Sequence, residues 1–179
     1  PAIVEPEISA TWGGQTPVYP VKDPSVASAL DTLGVLHQRD LPGRARTLFG
    51  FVTDEVQTLG RGSDDALLTL ARREGSALGK VRLLITLLRA AGVPARPARG
   101  LLLGSGREPA ESTWVQARLE GSWVAMAPVE GWYEDAPPGL LRIASGEAPL
   151  LRMTGLEGSG YRWRALREFG AALWDLAGD

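Results

Sequence analysis

Hydrophobic residues along this chain change their spacing part-way. Up to about residue 91 they recur at helical intervals, and beyond it they alternate. Asp23-Pro24 reads as an N-cap with proline at the first helical position. Val26, Ala29, Leu30, Leu33 and Leu36 then predict an amphipathic helix over 24–37. Leu41-Pro42-Gly43 reads as a break. Leu48, Phe49, Val52 and Val56 form the inner stripe of a second helix over 44–59. After the turn Gly60-Arg61-Gly62, Ser63 is the predicted cap of a short third helix. Asp64 and Asp65 lie in its first turn, and Leu67, Leu70 and Ala71 face inward. A fourth helix, 77–91, is apolar on most of its circumference (Leu78, Val81, Leu83, Leu84, Ile85, Leu87, Leu88), which predicts a buried central element. Gly92 suits its left-handed C-cap, and Pro94 follows.

The second half predicts strands. A strand over 98–103 precedes the loop Gly104-Ser105-Gly106. Residues 112–120 alternate, with Val115, Ala117 and Leu119 on one face and Ser112, Trp114, Gln116 and Arg118 on the other. Gly121 turns the chain into a strand over 122–129. Shorter candidates lie at 140–144, 150–154 and 161–166, and 169–177 is helix-like. Residues 1–22 read as an extended lead-in with β-prone pieces at 2–4 and 17–20. Helices followed by an antiparallel sheet give an α+β class, with 23–179 as one domain.

Composition narrows the chemistry. A chain of 179 residues with 44% hydrophobic and 22% charged positions can build one core without disulfides or metals. A net charge of -2 gives no electrostatic reason to bind nucleic acid. There is no cysteine, which excludes thiol catalysis and Cys-ligated metals. His37 is the only histidine, so a His-rich metal site and a Ser-His-Asp triad with a second His are out, and no cofactor is implied. The longest apolar run, Val81 to Leu88, is interrupted by Arg82 and is too short for a membrane span. No signal peptide is visible and the chain begins at Pro1, so it is read as a piece of a longer protein.

Three segments carry a resemblance. Gly75, Ala77, Arg89, Gly92, Val93, Pro94 and Arg96 keep the spacing of a Gly-x-Cys helix start followed by Arg and a Gly-Ile/Val-Pro-x-Arg tail. Ser112-Thr113-Trp114 matches a His-x-Trp element, and Trp123 with Ala127-Pro128 matches Trp-x-x-x-Asp-Pro. Together, over 63–129, they resemble the core of the transglutaminase-like cysteine hydrolases, a papain-like cysteine protease-type fold. The resemblance implies a thiolate at the N-terminus of a buried helix, a His on a neighbouring strand and an Asp on the next. The matching positions here are Ala77, Ser112 and Ala127. Loss of a nucleophile or its base costs on the order of a millionfold in a related hydrolase system. The resemblance therefore implies a retained fold without its triad.

The tail over 139–166, with Gly139-Leu140-Leu141-Arg142-Ile143 and Gly146-Glu147-Ala148-Pro149, resembles one subfamily: inactive transglutaminase-like proteins fused to seven transmembrane helices. That resemblance implies a periplasmic sensor or docking domain of a bacterial inner-membrane protein, in an envelope or osmotic-response system. Its implied partners are its own transmembrane helices and a periplasmic protein, peptide or glutamate-rich polymer, a component of a retropepsin-like protease system among them. The candidate binding residues are Ser76, Arg99, Thr113 and Trp114, around the vestigial positions Ala77, Ser112 and Ala127. Trp114 shares a strand face with Ser112, whereas core or rim packing accounts for most of the other tryptophans. Arg99 could meet an anionic ligand and Arg96 makes structural bonds. Ser76 and Lys80, four apart on the helix, are the main route to a surviving hydrolase, a Ser-Lys dyad; the simpler reading is an N-cap serine and a solvated lysine. A purely structural spacer is the remaining alternative.

Overall fold

The computed structural model describes residues 12–103 and 110–147. The loop 104–106, the strands expected at 2–4, 150–154 and 161–166, and the helix expected at 169–177 lie outside them. Helix α1 spans Pro24–Thr32 with Asp23 as N-cap and Pro24 in its first turn, as the sequence predicts. It stops short of 37 because Gly34 is left-handed (φ 63°), and Val35–His37 is a separate single 3₁₀ turn. Helix α2 runs Leu41–Asp54. Leu41-Pro42-Gly43 is therefore its first turn and not a break. The carboxylate of Asp40 caps it, accepting from Gly43 N at 2.6 Å, and proline is tolerated where helical N–H groups have no carbonyl partner.

The same helix ends at Asp54 and not at residue 59. Gln57–Thr58 (β1) instead pairs in parallel with Glu74–Gly75 (β2), and backbone hydrogen bonds to Arg73 O and Gly75 O draw the chain out of helical geometry. Helix α3 is Ala66–Arg72, capped by Asp65 and not by Ser63; Asp65 Oδ1 accepts from Leu68 N at 2.8 Å. That shift in register puts Ala66, Thr69 and Leu70 inside and leaves Ala71 exposed.

Helix α4, Ala77–Ala90, is the axis of the molecule. Val81, Leu83, Leu84, Ile85, Leu87 and Leu88 are all buried, and Gly92 is left-handed (φ 82°) beyond its end. It meets α1, α2 and α3 on one side and the sheet on the other. Among the described residues the sheet has five strands: β3 Ala95–Leu102, β4 Ala110–Leu119, β5 Ser122–Ala127, β6 Trp132–Tyr133 and β7 Leu140–Ser145. Their order is β6-β5-β4-β3-β7, every pairing antiparallel. Strand β3 begins earlier than 98 because Pro97 fits inside it. Its carbonyl accepts from Gly146 N, and its missing N–H faces past the end of β7. The alternation in β4 holds: Val115, Ala117 and Leu119 enter the main core with α4, while Trp114 packs on the opposite side with Ala98 and Ala127.

Candidate functional site

The start of α4 is held in place by close backbone approaches. Ser76 is its N-cap, with Oγ accepting from Gly79 N at 3.0 Å and donating to Asp64 Oδ1. Ser76 N donates to Ser63 O at 2.9 Å. Gly62 and Gly79 have no room for a side chain: a Cβ would lie 2.3 Å from the Gly75 carbonyl carbon and 2.2 Å from Ser63 O, respectively.

Beside this helix start lies an open groove of about 230 Å³. Ala77 and Leu78 of α4, Arg99 of β3, Ser112 and Thr113 of β4, and Val129 line it, with the exposed Glu111 and Glu130 at its rim. Strand pairing sets Arg99 opposite Thr113 and Gly100 opposite Ser112, so the β3–β4 register brings these groups to one wall. Of the residues singled out in the sequence, Ala77, Arg99, Ser112 and Thr113 are thus assembled in the groove. Ser76 stands next to it but is committed to Asp64 and Gly79.

Two expected groove residues are elsewhere. Trp114 is only 2% exposed and Ala127 is fully buried; both belong to the small cluster behind the groove. Trp114 keeps the strand face of Ser112, but two residues further along the strand it packs against Ala98 and Ala127 and is covered. Lys80 is corrected as well. It is buried, not solvated, and its Nζ donates to Thr53 O at 3.4 Å. Burial pushes its pKa down, opposed by the charge of Asp54. Ser76 and Lys80 therefore spend their hydrogen bonds on different partners, and no dyad contact joins them.

Arg96 is structural as expected, with Nε donating to Gln116 Oε1 at 3.2 Å and the guanidinium stacked 3.9 Å from the Trp123 ring centre. Arg89 is buried; its Nε donates to Ala95 O at 2.9 Å and its Nη1 to Gly14 O at 3.0 Å, while its guanidinium covers the Tyr19 ring at 4.3 Å.

Sequence reasoning missed Glu147, quoted only as part of the tail pattern. Its carboxylate accepts from the Tyr19 hydroxyl and from Arg82 Nη2 at 2.9 Å, and it stands 3.8 Å from Arg99 Nη2. It ties the lead-in, α4, β3 and the end of β7 together. Burial alone would raise its pKa. The hydrogen bonds from Arg82 and Tyr19, with the charges of Arg82 and Arg99, outweigh that and hold it below the usual carboxylate range. Burial first, then the bond to Glu147, pushes the Tyr19 hydroxyl far above its usual value. A depressed carboxyl pKa contributes stability that is present above the unfolded value, about 4.3 for Glu. That stability is lost as pH falls through the lower folded value. Thermal midpoints measured from about pH 6 downward should therefore fall less steeply in Glu147→Gln than in the native chain. Parallel acid limbs would remove Glu147 as a source of that dependence.

The start of α4 beside Ser112 of β4 is the part of the implied arrangement that the structure assembles, while Ala127 of β5 lies outside the groove. Residues 33–128, more than half of the chain, match the sequence profile of the transglutaminase-like superfamily. The chain belongs to that superfamily.

Solved structures agree on the fold. This transglutaminase-like chain is similar to a candidate cysteine protease from Cytophaga hutchinsonii, at 18% identity and a TM-score of 0.66, over 80% of this chain and 48% of that one. It is also similar to the periplasmic domain of TgpA from Pseudomonas aeruginosa, at 17% identity and a TM-score of 0.54, over 70% of this chain and 48% of that one. It spans about half the length of each. Among curated proteins none matches the sequence significantly. The transglutaminase-like fold is thus present in a chain with no cysteine, so a thiol nucleophile is absent. Among the described residues no group of three His, Cys, Asp or Glu is placed to hold a metal ion.

Proposed function

We propose that this is a non-catalytic transglutaminase-like domain that binds a peptide or partner segment in the groove beside α4. One observation carries the reading: the groove is open where the superfamily's chemistry would stand, yet Ala77 and Ser112 bring no acid, base or thiol to it. Ala127, at the position of the orienting Asp, lies in an apolar cluster with Ala98 and Trp114. An open groove also speaks against a purely structural spacer, which would be filled by bulky side chains.

In the whole protein the domain would sit in the periplasm as a sensor or docking module. The similarity to a periplasmic domain supports that location. No helix among the described residues is long and apolar enough to cross a membrane, so coupling would run through transmembrane helices attached to it. Occupancy would bias those helices only as far as the ligand prefers one of their two states.

Peptides captured by the chain from a random library should be recovered intact by mass spectrometry. Ser112→Trp, which fills the groove, should lose them. A serine-directed fluorophosphonate probe should not label the chain. Labelling that disappears in Ser76→Ala, or peptide cleavage that is lost in that variant, would establish a Ser76 hydrolase in place of this reading.

A further inference from the structure

Arg99 is a half-buried charge with bonding capacity to spare. Its side chain is only 19% exposed. Its Nε is buried without a hydrogen-bond partner, and its Nη2 stands 3.8 Å from Glu147, beyond hydrogen-bond range. Burying a guanidinium without satisfying its donors is unfavourable, because the lost hydration is not replaced. Glu147 does not replace it, since that carboxylate is engaged by Arg82 Nη2 and the Tyr19 hydroxyl. Groove space adjoins Arg99, next to the short side chains of Ala77, Ser112 and Thr113. A planar carboxylate is the acceptor that a guanidinium fork fits best, and the Thr113 hydroxyl, directly opposite Arg99 in the strand register, can donate to the same group.

The rim limits what carries that carboxylate. Glu130 is exposed at the groove mouth and would repel a polyanion. A ligand with one carboxylate, delivered past the rim to Arg99, avoids that repulsion.

Resting on the reading of the groove as a peptide site, we propose that Arg99 receives a single carboxylate of the bound peptide, and that Glu147 is its internal competitor. The ligand's carboxylate takes Arg99 from the distant ion pair, while Arg82 and Tyr19 keep Glu147 in place.

Calorimetric titration of the full chain with three alanine-based pentapeptides tests this. One has a free C-terminus, one a C-terminal amide, and one a C-terminal amide with a single internal glutamate. A carboxylate peptide should bind at least about tenfold more tightly than the neutral amide, a difference set by one buried charge-assisted contact. The tighter of the two carboxylate arms identifies the source as chain end or side chain. Arg99→Gln should abolish the preference, Arg99→Lys should keep part of it, and Glu147→Gln should tighten carboxylate binding several-fold. Equal affinity for all three peptides, blocked by Ser112→Trp, would overturn the carboxylate assignment and leave the groove reading standing. A preference that survives Arg99→Gln would overturn the role of Arg99. An unchanged affinity in Glu147→Gln would overturn the competition. No binding of any of the three would overturn both readings together.

Discussion

Gly79→Ala should lower folding stability by about 2 kcal/mol, although alanine is the better helix former. In an exposed helix interior the change would gain about 1 kcal/mol. Here the added Cβ would lie 2.2 Å from Ser63 O and 2.7 Å from Thr69 Oγ1, and the first of these is backbone that cannot swing aside. Overpacking of that kind costs roughly 1–3 kcal/mol, occasionally more, so the clash outweighs the propensity gain. The strand-to-helix junction must open to accept it, which would weaken the bond from Ser76 N to Ser63 O that anchors the N-cap. Gly50 is the control. It lies in α2, Leu41–Asp54, and a Cβ there meets only Asp54 Oδ2 at 3.9 Å. Gly50→Ala should therefore stabilise by up to about 1 kcal/mol. Urea unfolding midpoints for the two variants should move in opposite directions. A Gly79→Ala protein as stable as the native chain would show that the close approach at α4 is not structurally required.

Arg89→Met should cost about 2–4 kcal/mol. Methionine keeps much of the apolar stem, so the change isolates the guanidinium. That group serves Ala95 O at the start of β3 and Gly14 O in the lead-in, and it covers the Tyr19 ring. Removing it leaves the buried Ala95 carbonyl and the part-buried Gly14 carbonyl short of a donor, which outweighs the relief of burying one charge fewer. Arg89→Lys should recover only part of the loss, because an ammonium on a flexible stem cannot reproduce the fork. The free energy comes from denaturant titration. A stability equal to the native chain's would mean that burying the charge costs as much as its bonds return.

These two positions show what sequence reading could and could not reach. Arg89 was legible as part of a helix-to-strand spacing, but its partners were not. One of them, Gly14, is 75 residues away along the chain. Caps were read where a single short-range rule decided them, as at Asp23 and Ser76. They were misread where two candidates competed within three residues, as with Ser63 and Asp65. The helix end after Asp54 was missed because a two-residue parallel pairing with Glu74–Gly75 has no local signal.

The candidate site divides the same way. Ala77, Ser112, Arg99 and Thr113 were named from spacing, and strand register gathers them in one groove. Trp114 was placed there too, but two residues along the strand from Ser112 it is buried in the cluster with Ala98 and Ala127. Lys80 looked solvated because a lysine on a helix usually is, yet α4 is covered by other elements nearly all round and buries even that position.

By itself the sequence determined the α+β class, the buried central helix, the alternation of β4 and the absence of thiol chemistry, because periodicity and composition are local properties of the chain. Only the tertiary structure decided which side chains meet. The Arg82–Glu147–Tyr19 network, the half-satisfied Arg99 and the groove beside Ala77 join segments that are far apart in sequence. Long-range packing and strand register set such contacts, and no pattern within one segment encodes them.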